Sequence, residues 1–388
     1  MASLSILPVH FIVVFMNKIV LSANTSWYLY NFRSSTIKAM KEHGFKVICL
    51  SPSDDYSQKL VGELGCEWFH LEMDNKGSNP IKDLALVFRL AILLFKIKPI
   101  MVFNFTIKNN IYGTWAAWVT RVNVVNNVSG LGTAFIKNNL TSKVAKLLYR
   151  LSQPFANRVF CQNPEDMDLL ITNKLVHKNK LILLPGSGVN VDKFTPSMKV
   201  IRDKESPFRF LYVGRMLGDK GIRELIAAAH KLYETNYDFT LELCGFSDVK
   251  NASALSSDEL NELSKFDYIN WLGPSDTVAQ VYAEADCVIL PSYREGMPRT
   301  LLEAGAMGLP SITTNVPGCK HVITHGFNGL LCEVKSSDSL YEQMVAMIQL
   351  DSTSYELMCS NSRRRIKKEY DEKIVVQHAL ESIWTLRG

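Results

Sequence analysis

Along the chain, short uninterrupted apolar runs alternate with longer segments in which apolar residues recur every three or four positions. Runs of the first kind suit strands buried on both faces, and segments of the second suit amphipathic helices. In the first half the runs are Ile19–Ala23, Phe45–Leu50, Ile100–Asn104, Val122–Asn127, Arg158–Gln162 and Lys180–Leu184. Helical spacing falls on Asn31–His43, closed by Gly44, on Asp83–Lys98 before Pro99, and on Ile111–Arg121. Asn163-Pro164 opens another helix as N-cap and first helical residue. A polar stretch over 196–207, with a proline at each end, predicts a linker. A second series follows, with strands at Phe208–Val213, Phe239–Cys244, Ile269–Leu272, Cys287–Leu290, Ser311–Thr314 and Gly329–Cys332. Helices fall at Gly221–Tyr233, Thr277–Glu284, Pro298–Met307, Ser337–Leu350, Ser354–Glu369 and Glu372–Arg387. Such alternation predicts α/β architecture with parallel sheets. The expected division is a doubly wound domain over 1–195, with 1–15 an upstream extension, and a second over 208–370. A last helix over 371–388 is expected to pack back on the first domain. Two such domains face each other, and a ligand lies in the cleft at the carboxyl ends of both sheets.

Composition supports two real cores: of 388 residues, 47% are apolar and 21% charged. The eight cysteines stand singly, with no CxxC pair and no Cys/His cluster. That excludes a zinc ribbon and a disulfide framework, and it suits a reducing, cytoplasmic compartment. The apolar run Val9–Phe15 is far short of the ~20 residues a membrane helix needs. Charge is divided unevenly: residues 1–195 carry 22 Lys and Arg against 12 Asp and Glu, and the remainder 21 against 26. No acidic residue lies between Asp83 and Glu165, where ten basic ones do. The first half therefore meets something anionic: nucleic acid, a membrane surface or a phosphorylated substrate. The segment Lys137–Arg150 sets Lys143, Lys146 and Arg150 beside Val144, Leu147, Leu148 and Leu151, a pattern that fits an interfacial helix. No helix-turn-helix, RNA-recognition or zinc-finger pattern speaks for nucleic acid. The cluster Arg363–Arg365 with Lys367 and Lys368 reads as a solvated helix face.

The most informative stretch is PSYREGMPRTLLEAGAMGLP, residues 291–310. A strand leaves into a loop, Pro298 suits the first helical position, and Gly308 and Pro310 end the helix. The amides of Arg299, Thr300 and Leu301 are expected to point out of the helix start, a positively polarised end that suits phosphate. Glu295 and Glu303 flank that start, with Glu303 on the face of Arg299 and Thr300. Carboxylates repel a diphosphate but accept hydroxyl protons, so the pair suits the two sugars on either side of one. The second stretch, FRFLYVGRMLGDKGIRE over 208–224, runs a strand into Gly214-Arg215 and then Lys220-Gly221 before a helix. Gly214 allows close backbone approach, and Arg215 and Lys220 emerge where a diphosphate needs neutralising. Asp166-Met167-Asp168 has the form of a metal-binding DxD, but it lies in the first turn of a helix and reads as dipole-complementing.

Together these stretches resemble the retaining nucleotide-sugar glycosyltransferases of family four, which adopt the GT-B fold of two facing Rossmann-like domains. The likeness rests on their EX7E signature (Glu295, Glu303) and their Gly-Arg…Lys-Gly loop (Gly214, Arg215, Lys220, Gly221). In the first half, residues 24–33, Thr106–Gly113, Val128–Gly132 and Leu184–Val189 resemble the subgroup that adds N-acetylgalactosamine and related sugars to polyprenyl-diphosphate-linked saccharides in bacterial glycan assembly. The resemblance implies a UDP-sugar donor held by Gly214, Arg215, Lys220, Leu272, Glu295, Gly296, Met297, Pro298, Arg299, Thr300, Leu301 and Glu303. It casts Glu295, Lys220 and Arg215 as the catalytic set, with Glu303 on the ribose and the backbone around Leu272 on the uracil. The acceptor side falls to Ser26, Arg33, Lys108, Asn109, Ser129 and Gly130. Many family members place a histidine in the loop where this chain has Lys108 and Asn109. The partners expected are the UDP-sugar, a polyprenyl-diphosphate-linked glycan and the anionic inner face of the cytoplasmic membrane, with no metal or other cofactor and no nucleic acid. A nucleotide-sugar 2-epimerase and a non-catalytic member of a glycan-assembly complex share the fold and stay open.

Overall fold

The computed structural model describes residues 17–74, 79–131, 140–199, 206–247 and 253–387, with the backbone alone at 140 and 141. The proposed extension 1–15, the start of the Lys137–Arg150 segment and the linker residues 200–205 lie outside the described residues. The first domain runs β1 (Lys18–Ser22), α1 (Ser26–Glu42), β2 (Lys46–Ser51), α2 (Tyr56–Gly62), β3 (Glu67–His70), α3 (Pro80–Ile97), β4 (Met101–Phe105), α4 (Thr114–Thr120), β5 (Asn123–Val128), α5 (Leu140–Ser152), β6 (Arg158–Cys161), α6 (Pro164–Thr172) and β7 (Leu181–Leu183). The second runs β8 (Phe208–Val213), α7 (Ile222–Glu234), β9 (Phe239–Cys244), α8 (Ser257–Leu263), β10 (Ile269–Gly273), α9 (Val278–Ala283), β11 (Cys287–Leu290), α10 (Arg299–Ala306), β12 (Ser311–Thr314), α11 (Cys319–Val322) and β13 (Gly329–Cys332). Helices α12 (Ser337–Ile348), α13 (Ser352–Glu369) and α14 (Glu372–Leu386) close the chain.

Both sheets are parallel throughout, ordered β3-β2-β1-β4-β5-β6-β7 and β10-β9-β8-β11-β12-β13. Strand order reverses beside β1 in one and β8 in the other. The loops leaving β1, β4, β8 and β11 therefore open on the same crevice. Central strands are buried on both faces, which is why they read as unbroken apolar runs. Edge strand β3 exposes Glu67, Phe69 and His70, so no apolar run announced it.

Helix starts depart from the expected ones for a local reason. Helix α1 begins at Ser26 rather than Asn31, because Thr25 is extended and its hydroxyl accepts the Tyr28 N–H. Helix α3 begins at Pro80, capped by the Asn79 side chain. The expected helix from Ile111 opens instead as a π-helical turn over Asn109–Gly113. Helix α14 leaves the second domain and packs Val375, Ala379, Leu380 and Ile383 into the first-domain core beside α1.

Ionic contacts join the domains. Arg294 meets Asp166 at 2.6 Å, and Asn163 donates to the Gly296 carbonyl at 2.9 Å. Glu165 on α6 takes Lys320 at 3.0 Å and His321 at 2.5 Å. Burial pushes the Glu165 carboxyl up, yet the hydrogen bonds from Lys320 and His321 outweigh it and hold the group down to about 2, against an ordinary 4.5. A depressed carboxylate stabilises the fold fully above about pH 4.5, and the contribution is lost as pH falls toward 2. With a third of this side chain exposed, screening leaves about 1 kcal/mol. Glu165→Gln is therefore expected to lower the thermal midpoint by about 2–4 °C at neutral pH. Thermal scans from pH 7 to pH 3 should show that gap narrowing below about pH 4.5; a constant gap would count against the linkage.

Candidate active site

Strand β8 delivers Val213 to the crevice, and Gly214 then donates its N–H to the Cys244 carbonyl at 2.9 Å. A single 3₁₀ turn, Gly218–Lys220, leads to Gly221 at φ 73°. A Cβ at Gly221 would lie 2.1 Å from the Pro291 carbonyl oxygen, so only glycine lets this turn rest on the loop leaving β11. That close approach puts the Lys220 ammonium on the Glu295 carboxylate, which also accepts from the Ser292 hydroxyl at 2.8 Å. Both side chains are mostly buried, at 20% and 13% exposure, so their charges are lightly screened.

The start of α10 differs from the expected one. Pro298 is extended, with ψ 114°, and stands before the helix rather than in its first position. Its carbonyl takes the Leu301 N–H at 3.1 Å, and the Leu301 side chain is fully buried in the second-domain core. Among the described residues only the amides of Arg299 and Thr300 stay open there. Arg299 donates to Glu303 at 2.7 Å, stacks over the Phe32 ring and reaches the Asn31 carbonyl of the first domain. Tyr282 donates to the other Glu303 oxygen at 3.1 Å. Burial, and then the Glu303 charge, push the Tyr282 hydroxyl well above its ordinary range, so it stays a donor.

Lys220, Glu295 and Arg299 wall a cavity of about 240 Å³ between the domains, while Glu303, 8% exposed, does not line it. Gly214, Lys220, Glu295, Met297, Pro298, Arg299 and Thr300 line it from the second domain, and Tyr28, Phe32 and Ser129 from the first. Each cation is aimed by a carboxylate, and two open amides face the same space. The arrangement suits an anionic group flanked by hydroxyls. Gly296 does not line the cavity and stands against Ser129 and Gly130 of the first domain. Arg215 is exposed at the end of β8 and its side chain does not line the cavity. Leu272, 48% exposed on edge strand β10, does not line it either.

A second cavity of about 270 Å³ adjoins it in the first domain, and Ser129 lines both. Of the six residues placed on the acceptor side, Lys108, Ser129 and Gly130 line this space. The other three are turned into the domain. Ser26 is bonded to Ser51 and Ser57. Arg33, 2% exposed, packs on Phe105 and donates to Tyr28. Asn109 is bonded to Ser22. The earlier start of α1 places Ser26 inside a helix, and Asn109 lies in the π-helical turn after β4. Lys108 is held by Asp83 at 2.6 Å.

Sequence reasoning missed the interdomain clamp. Asp166, 1% exposed, accepts from Leu131 N–H and pairs with Arg294, so it does more than complement a helix dipole. Its place in a helix first turn was readable, but its partner 128 residues away was not. The basic cluster of α13 is solvated in part: Arg364, Lys367 and Lys368 are exposed, but Arg363 donates to the Val191, Phe194 and Ala306 carbonyls, and Arg365 to that of His321.

Residues 194–369 match the family model described as Glycosyl transferases group 1, and residues 18–163 that described as Glycosyl transferase 4-like. Over 367 residues the chain is 28% identical to N,N'-diacetylbacillosaminyl-diphospho-undecaprenol alpha-1,3-N-acetylgalactosaminyltransferase of Campylobacter jejuni, covering 91% of this chain and 94% of that one. It is 29% identical to UDP-Gal:alpha-D-GlcNAc-diphosphoundecaprenol alpha-1,3-galactosyltransferase of Escherichia coli, covering 74% and 75%. Among solved structures, Anabaena HepE in complex with UDP and glucose aligns with a TM-score of 0.78 at 18% identity, over 95% of this chain and all of that one. A glycosyltransferase from Rickettsia africae aligns at 0.76 and 18%, over 96% and 99%.

Proposed function

Because the chain belongs to the glycosyl transferases of the group 1 and 4-like families and is itself a glycosyltransferase of GT-B fold, we propose that it moves a sugar from a UDP-sugar to a polyprenyl-diphosphate-linked saccharide with retention of configuration. The observation that carries this reading is the interdomain cavity in which the Lys220–Glu295 pair and Arg299, itself held by Glu303, meet two open helix amides. The donor diphosphate lies against Lys220 and the Arg299 and Thr300 amides, with Arg215 at the rim drawing the anion in. Glu303, braced by Tyr282 and Arg299, takes the ribose hydroxyls, and Glu295 the donor hexose. The acceptor hydroxyl enters from the Ser129 side, on the face the UDP leaves, and a β-phosphate oxygen takes its proton. Charge on the departing UDP is met by preset donors, the largest single catalytic term in most enzymes. A donor HexNAc, with N-acetylgalactosamine favoured, is supported by the activity named for the Campylobacter relative.

A membrane-bound acceptor fits the first domain's outer surface. On α3, Ile81, Leu84, Phe88, Ile92 and Phe95 form one exposed apolar stripe. Trp118 and Val119 on α4, and Val144, Leu147 and Leu151 on α5, are exposed as well. Lys82, Arg89 and Lys96 flank the α3 stripe, and Lys143 and Arg150 stand exposed on α5, a composition suited to an anionic lipid surface. No helix among the described residues is long and apolar enough to cross a membrane.

The test is UDP release from a panel of UDP-sugars, with and without a short-chain polyprenyl-diphosphate sugar, in neutral and in anionic vesicles. Release with one UDP-HexNAc, only with acceptor and faster on anionic vesicles, is the expected outcome. Consumption of UDP-HexNAc with no acceptor would support an epimerase instead, and absence of UDP binding a non-catalytic role.

A further inference from the structure

On either side of Glu295 the chain is held by the first domain. The Arg294 guanidinium meets the Asp166 carboxylate at 2.6 Å, and the Gly296 carbonyl accepts from the Asn163 side chain at 2.9 Å. Glu295 lies between these two tethers, with its own carboxylate turned to Lys220 and Ser292. Both tethers end at the start of α6, where Asn163, the N-cap, is fully buried and Asp166 is 1% exposed. The cap fixes the two side chains against each other: the Asp166 N–H donates to Asn163 Oδ1 at 2.7 Å, and Asn163 Nδ2 donates to Asp166 Oδ2 at 3.0 Å. Asp166 Oδ2 also takes the Leu131 N–H, at 3.2 Å. Val128, Ser129, Gly130 and Leu131 line the first-domain cavity, and Ser129 lines the cavity beside Glu295 as well. One buried carboxylate thus joins the loop over 128–131, the α6 cap and the segment that carries Glu295.

Holding two domains together does not require a buried pair. Pairing in so dry a setting adds little net stability, because desolvation offsets the Coulomb gain, but it admits one geometry. Each polar atom of the Asn163 and Asp166 side chains has a partner, so the geometry is fully specified. The preceding residue shows the contrast. Glu165 is one-third exposed, and its ionic partners Lys320 and His321 both lie on α11, away from the segment 294–296.

We infer that Asp166, with Asn163, is a positioning residue that sets the Glu295 carboxylate for the donor hexose while holding the loop over 128–131 against it. It acts through Arg294 and the Gly296 backbone and moves no proton itself. This rests on Glu295 being the donor-hexose contact, as proposed above. The groups that meet the diphosphate, Lys220 and the amides of Arg299 and Thr300, all belong to the second domain. UDP alone therefore does not sense the α6 cap, and the sugar attached to it does.

The experiment measures affinity for UDP and for the UDP-sugar selected by the release panel, and turnover with a short-chain polyprenyl-diphosphate sugar. Asp166→Asn keeps the shape and an acceptor for the Leu131 N–H but removes the charge that Arg294 answers. It is expected to leave UDP affinity within about threefold, to weaken the UDP-sugar about tenfold relative to UDP, and to lower kcat by about ten- to a hundredfold. Arg294→Gln, at a side chain 30% exposed, should reproduce that split without disturbing the cap, and Arg294→Lys, which restores a cation, should recover part of it. Glu165→Gln breaks the other interdomain contact and should leave both affinities and kcat within about threefold. Equal loss of UDP and UDP-sugar affinity, or a fall in kcat no larger than that of Glu165→Gln, would overturn the proposal. Wild-type protein that binds no UDP, or turns over no donor, would overturn the functional reading and this one with it.

Discussion

Lys220→Ala is expected to lower turnover by about 10²–10³-fold while the fold survives. The ammonium sits against Glu295 in a mostly buried pocket, opposite the open end of α10. Removing it deletes the strongest compensation for charge developing on the leaving diphosphate. It also leaves the Glu295 carboxylate, 13% exposed, facing a polyanion with nothing to neutralise it. The single variant should therefore bind UDP more weakly as well as react more slowly. Because the two side chains are in contact, their effects are not additive. The double variant with Glu295→Gln should recover part of the lost UDP affinity but not the turnover. Steady-state UDP release, calorimetric UDP binding and a thermal melt for each variant check this. Wild-type turnover in Lys220→Ala would sink the assignment of the catalytic set.

Gly296→Val should abolish most activity by a different route. A Cβ at this position would lie 2.5 Å from the Ser129 carbonyl oxygen and 3.1 Å from the Gly130 Cα. Both are backbone atoms of the other domain, so no side chain can move aside. Relief comes only by prising the domains apart, which also strains the Asn163–Gly296 and Arg294–Asp166 contacts. Displacing reacting groups by an ångström costs about a hundredfold, so a fall in kcat/KM of at least ~10²-fold is expected. UDP affinity should stay within about threefold, because Lys220, Arg299 and Thr300 all lie on the second domain. Scattering would show a larger radius of gyration than wild type. Full activity in this variant would mean that the domains do not work at the separation seen here.

The α/β class was legible because β1, β4, β8 and β11 are central strands, and central strands must be apolar on both faces wherever they sit. The two loops that carry Lys220 and Glu295 were legible because each is a local strand-to-helix junction with glycines in place. Edge strand β3 was not, since an edge satisfies no such pattern. Nor was the outward face of α3: Phe88 and Leu90 are both apolar, yet one is 62% exposed and the other fully buried. Side-chain type reports preference for burial, and only the neighbouring elements say which side is covered.

Within the site the division is the same. Arg299 and Glu303 pair through helical spacing, a property of one segment, whereas Lys220 meets Glu295 from 75 residues away, through the close approach of Gly221 to Pro291. Ser26 and Arg33 lie on α1 and Asn109 in the π-helical turn after β4, and all three are held inside the first domain, by Ser51 and Ser57, by Phe105 and by Ser22 respectively. The pairing of Asp166 with Arg294 and the close approach of Gly130 to Gly296 have no local signature at all. The chain by itself therefore determined the class of fold, the two site-bearing loops and the charges they offer, because those depend on contacts between residues near in sequence. Which side chains face the cleft and what clamps the domains were decided only by tertiary structure, because each depends on where a second, distant segment comes to rest.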